Sequence, residues 1–243
     1  MKKIIIGMLL TLQGSIGISY ATGCDYPNVD GVKWYHISDE KRAIYLEVYN
    51  IAAEKIKAEL ESQKLQKGQW GIILDIDETT LDNSWDEYEN YKTYKFNEDE
   101  FKKGKAKALP GVKMLTDLVH NLGGYVSFVT NRNAKNTGMV EATVENLKQE
   151  GIYFDQILFA AGVSKEAQNK NPRFEAVISG EYSDDIIVTN KLPAHEVIAY
   201  FGDNIQDFPN MTQDNMRKVD DDGYSMFGKK YFIVPNPTYG SWQ

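Results

Sequence analysis

With 243 residues, 42% of them apolar and 26% charged, the chain has material for one sizeable globular domain and too much hydrophobic content to be disordered. A net charge of −8, two units more negative if Lys2 and Lys3 are removed with a leader, argues against a nucleic-acid polymer as partner, because no Lys/Arg cluster outweighs its acidic neighbours for more than a few residues. One cysteine and three histidines exclude a zinc ribbon, a thioredoxin-type CxxC and a disulfide framework.

Residues 1–23 read as an export signal: Met1-Lys2-Lys3 is positive, Ile4 to Ile18 is largely apolar, and Ala21, Thr22 and Gly23 are small. The run is too short and too interrupted by Gln13, Gly14, Ser15 and Gly17 to span a membrane permanently. Cleavage after Ala21 gives a soluble exported protein, and cleavage before Cys24 gives a bacterial lipoprotein. Ala21-Thr22-Gly23-Cys24 resembles a lipobox, and a lipid on Cys24 accounts for a cysteine that has no disulfide partner. The expected location is the periplasm or outer membrane of a bacterium, lipid-anchored or soluble.

After the leader, Ser38 to Gln63 reads as one long amphipathic helix, capped by Ser38, with an apolar stripe of Ile44, Val48, Ile51, Ala52, Ile56 and Leu60. Five short apolar runs follow, at Trp70–Leu74, Tyr125–Thr130, Gln156–Ala160, Val197–Phe201 and Tyr231–Val234, mostly without the alternation of a half-exposed strand. Helical stretches lie between them, at Gly111–Leu122, Lys135–Glu150 and Arg173–Ile178. This alternation predicts an α/β fold with a doubly wound, mainly parallel sheet and an N-terminal helical extension. The charged, Trp- and Tyr-rich piece from Asn83 to Leu109 breaks the rhythm and reads as an inserted cap, and Gly180 to Glu196 as a surface elaboration or partner site.

The chemistry starts where the first strand ends, in ILDIDETTLDN at residues 73–83. Asp75 and Asp77 are two apart, so in extended backbone their carboxylates emerge on one side and can converge on one centre. One carboxylate can attack phosphorus while the other protonates the leaving alcohol and then activates water. Two negative charges facing a phosphate need a cation, and Mg²⁺ with oxygen ligands supplies it. The second run ends YVSFVTNR, where Thr130 can donate its hydroxyl to a phosphate oxygen and the backbone of Asn131 can add another bond. The fourth ends VIAYFGDNIQDF, where Asp203 can complete a metal shell and Asp207 can orient a metal-bound water or a lysine. Lys170, in Lys-Asn-Pro-Arg, supplies a cation to offset the charge on nucleophile and phosphoryl group.

This order of motifs resembles the haloacid dehalogenase superfamily, and within it the class C bacterial acid phosphatases, with four aspartates in D-x-D and GDNxxDF. KWYHISDEKRAIYLEVYNIA at residues 33–52 and FGKKYFIVPNPTYGSWQ at residues 227–243 resemble that family's two ends, so the likeness spans nearly all of a single phosphatase domain over residues 24–243. The resemblance implies Asp75 as nucleophile, Asp77 as acid/base, Thr130 as phosphate binder and Lys170 as charge stabiliser. It also implies Asp203 and the backbone carbonyl of Asp77 as Mg²⁺ ligands beside Asp75, with Asp207 supporting the metal site. Asp86 stands where the family usually has a tyrosine.

The substrates expected are small phosphomonoesters. Trp85, Tyr88 and Tyr91 in the insertion and Tyr239 near the C-terminus are placed to clamp a flat leaving group, with Trp85 and Tyr239 the preferred contacts. Nucleoside 5′-monophosphates and aryl phosphates fit such a clamp. Transfer of the phosphoryl group to an alcohol, and a non-enzymatic surface lipoprotein on the same fold, are the alternatives; a homodimer is left open. His36, His120 and His195 lie outside any RHG motif and do not support a histidine phosphatase.

Overall fold

The computed structural model describes residues 29–90 and 95–243, so the leader, Cys24 and Tyr91 lie outside the described residues. Two helices come first, α1 (Val29–Ile37) and α2 (Asp39–Gln63). Between them Ser38 is extended, and its hydroxyl accepts from the backbone N–H of Lys41 at 3.1 Å, satisfying one of the free donors at the start of α2. β1 (Trp70–Leu74) follows. The segment expected to form a cap, residues 83–109, follows the first strand of a small hairpin, β2 (Leu81–Asp82); it holds α3 (Ser84–Asn90), a 3₁₀ turn at Glu98–Lys103 and β3 (Lys107–Ala108), antiparallel to β2.

The remaining chain runs α4 (Val112–Leu122), β4 (Tyr125–Asn133), α5 (Met139–Gln149), β5 (Gln156–Ala160), the short α6 (Lys165–Gln168), and α7 (Asn171–Ser179). It ends with β6 (Ile187–Val188), β7 (Glu196–Gly202), the short α8 (Gln213–Met216) and β8 (Tyr231–Ile233). The main sheet has the order β6-β5-β4-β1-β7-β8, parallel except where β6 pairs with β5. The chain builds outward from β1 to β4 and β5 on one side and to β7 and β8 on the other. That change of direction opens a crevice at the C-terminal end of β1, where open α/β sheets bind ligands.

All five residues of β1 and of β5 are buried, as unalternating apolar runs require. Neighbouring side chains go to opposite faces: Ile72, Leu74 and Phe128 pack with Leu115 and Val119 of α4, whereas Ile73 and Val129 pack with Phe174 and Val177 of α7. The helix α2 lies over the first of these faces, rotated from the expected stripe. It buries Lys41, Tyr45, Tyr49, Ala52, Ala53 and Ile56 and leaves Ile51 exposed. The rotation brings tyrosine hydroxyls to buried backbone acceptors, which an apolar stripe does not register.

The segment from Gly180 to Glu196 contributes the edge strand β6. There Thr189 exchanges bonds with Ile157, its N–H donating to the carbonyl at 3.1 Å and its hydroxyl accepting from the N–H at 3.0 Å. This short antiparallel piece covers the sheet edge at β5. Among the described residues no helix is long and apolar enough to cross a membrane.

Candidate active site

The tips of β1, β4 and β7 and the start of α7 bring the predicted groups together. Asp75 directly follows β1, with its N–H bonded to the carbonyl of Phe201 at 2.9 Å. Its Oδ1 is ion-paired with Lys170 Nζ, which also donates to Oδ1 of Asp207 at 2.6 Å. Asp207 is held in turn, because its Oδ2 accepts from the N–H of Asn204 at 2.9 Å. Asp203 accepts from the Thr79 hydroxyl at 3.0 Å and from Asn236 Nδ2 at 2.9 Å. Asp75, Asp203 and Asp207 each offer an oxygen within 4.8 Å of the others.

Charge is unbalanced here. Burial pushes the Asp75 carboxyl well above the usual carboxylate range; Lys170 pulls it down, and the nearby Asp207, Asp203 and Asp77 carboxylates raise it further. Burial and then Asp207 push Asp203 up to about 7, against opposing pulls from Asn236, Lys170 and Thr79. Lys170 and Arg173, whose charge also acts on Asp75 and Asp207, still fall short of neutralising three carboxylates, and the donor set of hard oxygens suits a divalent cation such as Mg²⁺.

The loop after β1 is locked by hydrogen bonds. The Thr80 hydroxyl donates to the carbonyl of Asp75 at 2.7 Å, and Glu78 adopts the left-handed region at φ 53°. The Glu78 carbonyl accepts from the hydroxyls of Tyr35 and Tyr45, and the Thr79 carbonyl accepts from Tyr49 at 2.6 Å. Three tyrosines of the N-terminal helices thus clamp the loop that follows Asp75. Glu78 itself is buried; burial pushes its carboxyl well above the usual range, with Asp77 next among the causes.

Asp77 lies away from Lys170's grip. Its Oδ1 accepts from Arg132 Nη2 at 2.7 Å and from Asn83 Nδ2 at 2.8 Å. Thr130 is buried in the C-terminal half of β4, and its hydroxyl oxygen accepts from the Arg132 N–H at 3.1 Å, leaving its own proton free to be donated. Asn131 is exposed, with Oδ1 accepting from Arg173 Nη2 at 2.7 Å, while Arg173 Nη1 donates to the carbonyl of Thr130. Arg132, Arg173, Glu78 and the three tyrosines escaped sequence reasoning. For the arginines the available signal was their position, one directly after Thr130-Asn131 and one three residues after Lys170.

Trp85 and Tyr239 line one cleft with Asn83, Glu87, Phe96 and Phe101. Burial pushes Glu87 up to about 7. Lys105 Nζ lies over the Trp85 ring at 4.3 Å. Tyr88 stacks on His36 at 4.1 Å, joining the cap to α1.

An α/β sheet with oxygen-donor acids and a buried lysine at its switch point is the arrangement of haloacid dehalogenase phosphohydrolases. The chain matches the HAD superfamily, subfamily IIIB (acid phosphatase), over residues 20–242, and it belongs to that family. It is similar to the class C acid phosphatase from Bacillus anthracis with tungstate bound, at 28% identity and a TM-score of 0.71, covering 88% of this chain and 85% of that one. A second structure of the class C acid phosphatase from Bacillus anthracis gives 28% identity and a TM-score of 0.67 over the same shares. The chain is a phosphomonoesterase of the class C acid phosphatase type acting on small phosphoesters, and phosphatases of this superfamily use a divalent metal.

Proposed function

We propose that the protein is an exported, Mg²⁺-dependent acid phosphatase that hydrolyses phosphomonoesters through an aspartyl phosphate on Asp75. The observation that carries this reading is the pairing of Lys170 with both Asp75 and Asp207, next to Asp203. Lys170 occupies one oxygen of Asp75 and leaves the other to attack phosphorus. As that O–P bond forms, the P–O bond to the alcohol breaks and Asp77 gives its proton to the departing oxygen. In the second half a water attacks phosphorus, Asp77 takes its proton, and the bond to Asp75 breaks to release phosphate. The Thr130 hydroxyl and the backbone N–H of Asn131 donate to phosphoryl oxygens throughout.

Asp75, Asp203, Asp207 and the backbone carbonyl of Asp77 would hold Mg²⁺, whose charge offsets that of the phosphoryl oxygens. The tungstate of the Bacillus anthracis enzyme is a tetrahedral oxyanion, and a site of this composition suits such an ion. Trp85 and Tyr239, on a common cleft, favour nucleoside 5′-monophosphates and aryl phosphates, since stacking contributes about 1–3 kcal/mol per base and tolerates different bases. Lys2-Lys3, the apolar run after them and Cys24 support export; loss of fatty-acid labelling in Cys24→Ser supports the lipid anchor, and an unlabelled wild type beginning at Thr22 rejects it.

The test is phosphate release from a panel of monoesters between about pH 4 and 8, with and without Mg²⁺. Hydrolysis fastest on the acid side, abolished by chelation and restored by Mg²⁺, is expected. Tyr239→Ala should lower kcat/KM for nucleotides more than for a small aliphatic phosphate. Full activity in enzyme shown to be metal-free contradicts the metal assignment, and equal losses on both substrates mean the Tyr239 ring only packs.

A further inference from the structure

Asp77 is held unevenly. Its Oδ1 receives three donors within 3.1 Å: Arg132 Nη2 at 2.7 Å, Asn83 Nδ2 at 2.8 Å and Arg132 Nε at 3.1 Å. Among the described residues Oδ2 has only the longer branch of the same Arg132 Nε–H, at 3.3 Å. A carboxylate oxygen with three donors has no lone pair well placed for a fourth bond.

The arginine is itself fixed on every side. Its side chain is fully buried, its Nη1 donates to the Thr143 hydroxyl of α5 at 3.1 Å, and Thr143 donates onward to the carbonyl of Met139 at 2.7 Å. Its guanidinium carbon lies 4.6 Å from the centre of the Phe101 ring, which belongs to the cap. A planar fork of donors fixes the plane of a carboxylate in a way that an ammonium does not. Burying a charge at this depth is costly unless the geometry is used.

The geometry points to Arg132 as a positioning residue: it turns the Asp77 carboxylate so that Oδ1 is saturated and Oδ2 is the oxygen that exchanges protons in the reaction. This rests on the reading of Asp77 as the acid/base. The proton on Oδ2 passes to the alcohol oxygen as its bond to phosphorus breaks; Oδ2 then takes a proton from the water that displaces Asp75. Asn83 and Phe101, which hold Asp77 and Arg132 respectively, also line the cleft of Trp85 and Tyr239.

A general acid matters most when the departing oxygen is a poor leaving group, which separates positioning from mere structural support. The measurement is kcat/KM, which reports the alcohol-releasing half-reaction, on a simple alkyl phosphate and on p-nitrophenyl phosphate. It is made for wild type, Arg132→Lys, Arg132→Gln and Asp77→Asn, all loaded with Mg²⁺. The ratio between substrates does not depend on the fraction of enzyme that is folded. Both Arg132 variants should lose at least about tenfold more on the alkyl ester than on the aryl ester, and Asp77→Asn should show the same bias. If both Arg132 variants fail to fold, Thr143→Val, which removes the Nη1 partner together with the Thr143 bond to the Met139 carbonyl, should carry a weaker bias of the same sign, and its absence rejects the proposal. Equal losses on the two esters, or none, in Arg132 variants beside a biased Asp77→Asn would overturn the positioning role alone. An unbiased Asp77→Asn would overturn the acid/base reading, and the proposal with it.

Discussion

Tyr49 of α2 donates its hydroxyl to the carbonyl of Thr79 at 2.6 Å, inside the loop that carries Asp75 and Asp77. The bond is fully buried, and Thr79 uses its own hydroxyl to hold Asp203 at 3.0 Å. The N-terminal helices therefore set the height of the loop that joins Asp75 and Asp77 to the metal-ligand candidate Asp203. Tyr49→Phe leaves a buried carbonyl without its donor, which costs about 1–3 kcal/mol. Urea unfolding should show that loss, with kcat reduced and KM little changed. An unchanged unfolding midpoint would show that the loop holds itself.

Gly202 ends β7, and a Cβ placed there would overlap the Asp207 side chain. The position needs glycine because of this close approach rather than because of its backbone angles. Gly202→Ala must push Asp207 away from Lys170 and from the Asp75–Asp203 cluster. Displacements near 1 Å in such sites cost about 10²-fold in rate. A fall in kcat of that order, with weaker Mg²⁺ activation, is expected in a titration of activity against metal; wild-type values would mean Asp207 relaxes without consequence.

The parts of this molecule legible in its sequence are those where residue type and burial coincide. Runs such as Trp70–Leu74 and Gln156–Ala160 have no polar face to misplace, so their strands follow directly from composition. Asp75, Asp77 and Asp203 stand out because acids at the tips of buried strands have few structural uses. Tyr45 and Tyr49 did not stand out, because their buried hydroxyls depend on carbonyls of Glu78 and Thr79 about thirty residues away. Arg132 was equally hidden: an arginine after a strand reads as a solvated residue until α5 and the cap close over it. Ile187–Val188 is too short to show any period.

His195 gives stability a pH dependence of its own. Its Nδ1–H donates to the carbonyl of Pro193 at 2.8 Å, and its buried Nε2 has no hydrogen-bond partner among the described residues. Burial lowers its pKa below the ordinary value. The unfolded chain therefore binds a proton that the folded chain resists. The contribution of His195 is fully present above about pH 6.5 and is lost as pH falls from there toward the depressed folded value. Denaturant midpoints at neutral and acid pH should differ more in wild type than in His195→Gln. Equal differences would mean the ring does not titrate on unfolding.

A phosphoryl group that passes to Asp75 can be trapped there. Mg²⁺-loaded enzyme is mixed rapidly with a phosphomonoester, quenched in acid within one turnover and analysed by peptide mass spectrometry. One phosphoryl group is expected on the peptide containing Asp75, located at that residue and absent from Asp75→Asn, which should lose nearly all turnover. A phosphoryl group on another residue, or wild-type turnover in Asp75→Asn with deamidation excluded, would contradict phosphoryl transfer to Asp75.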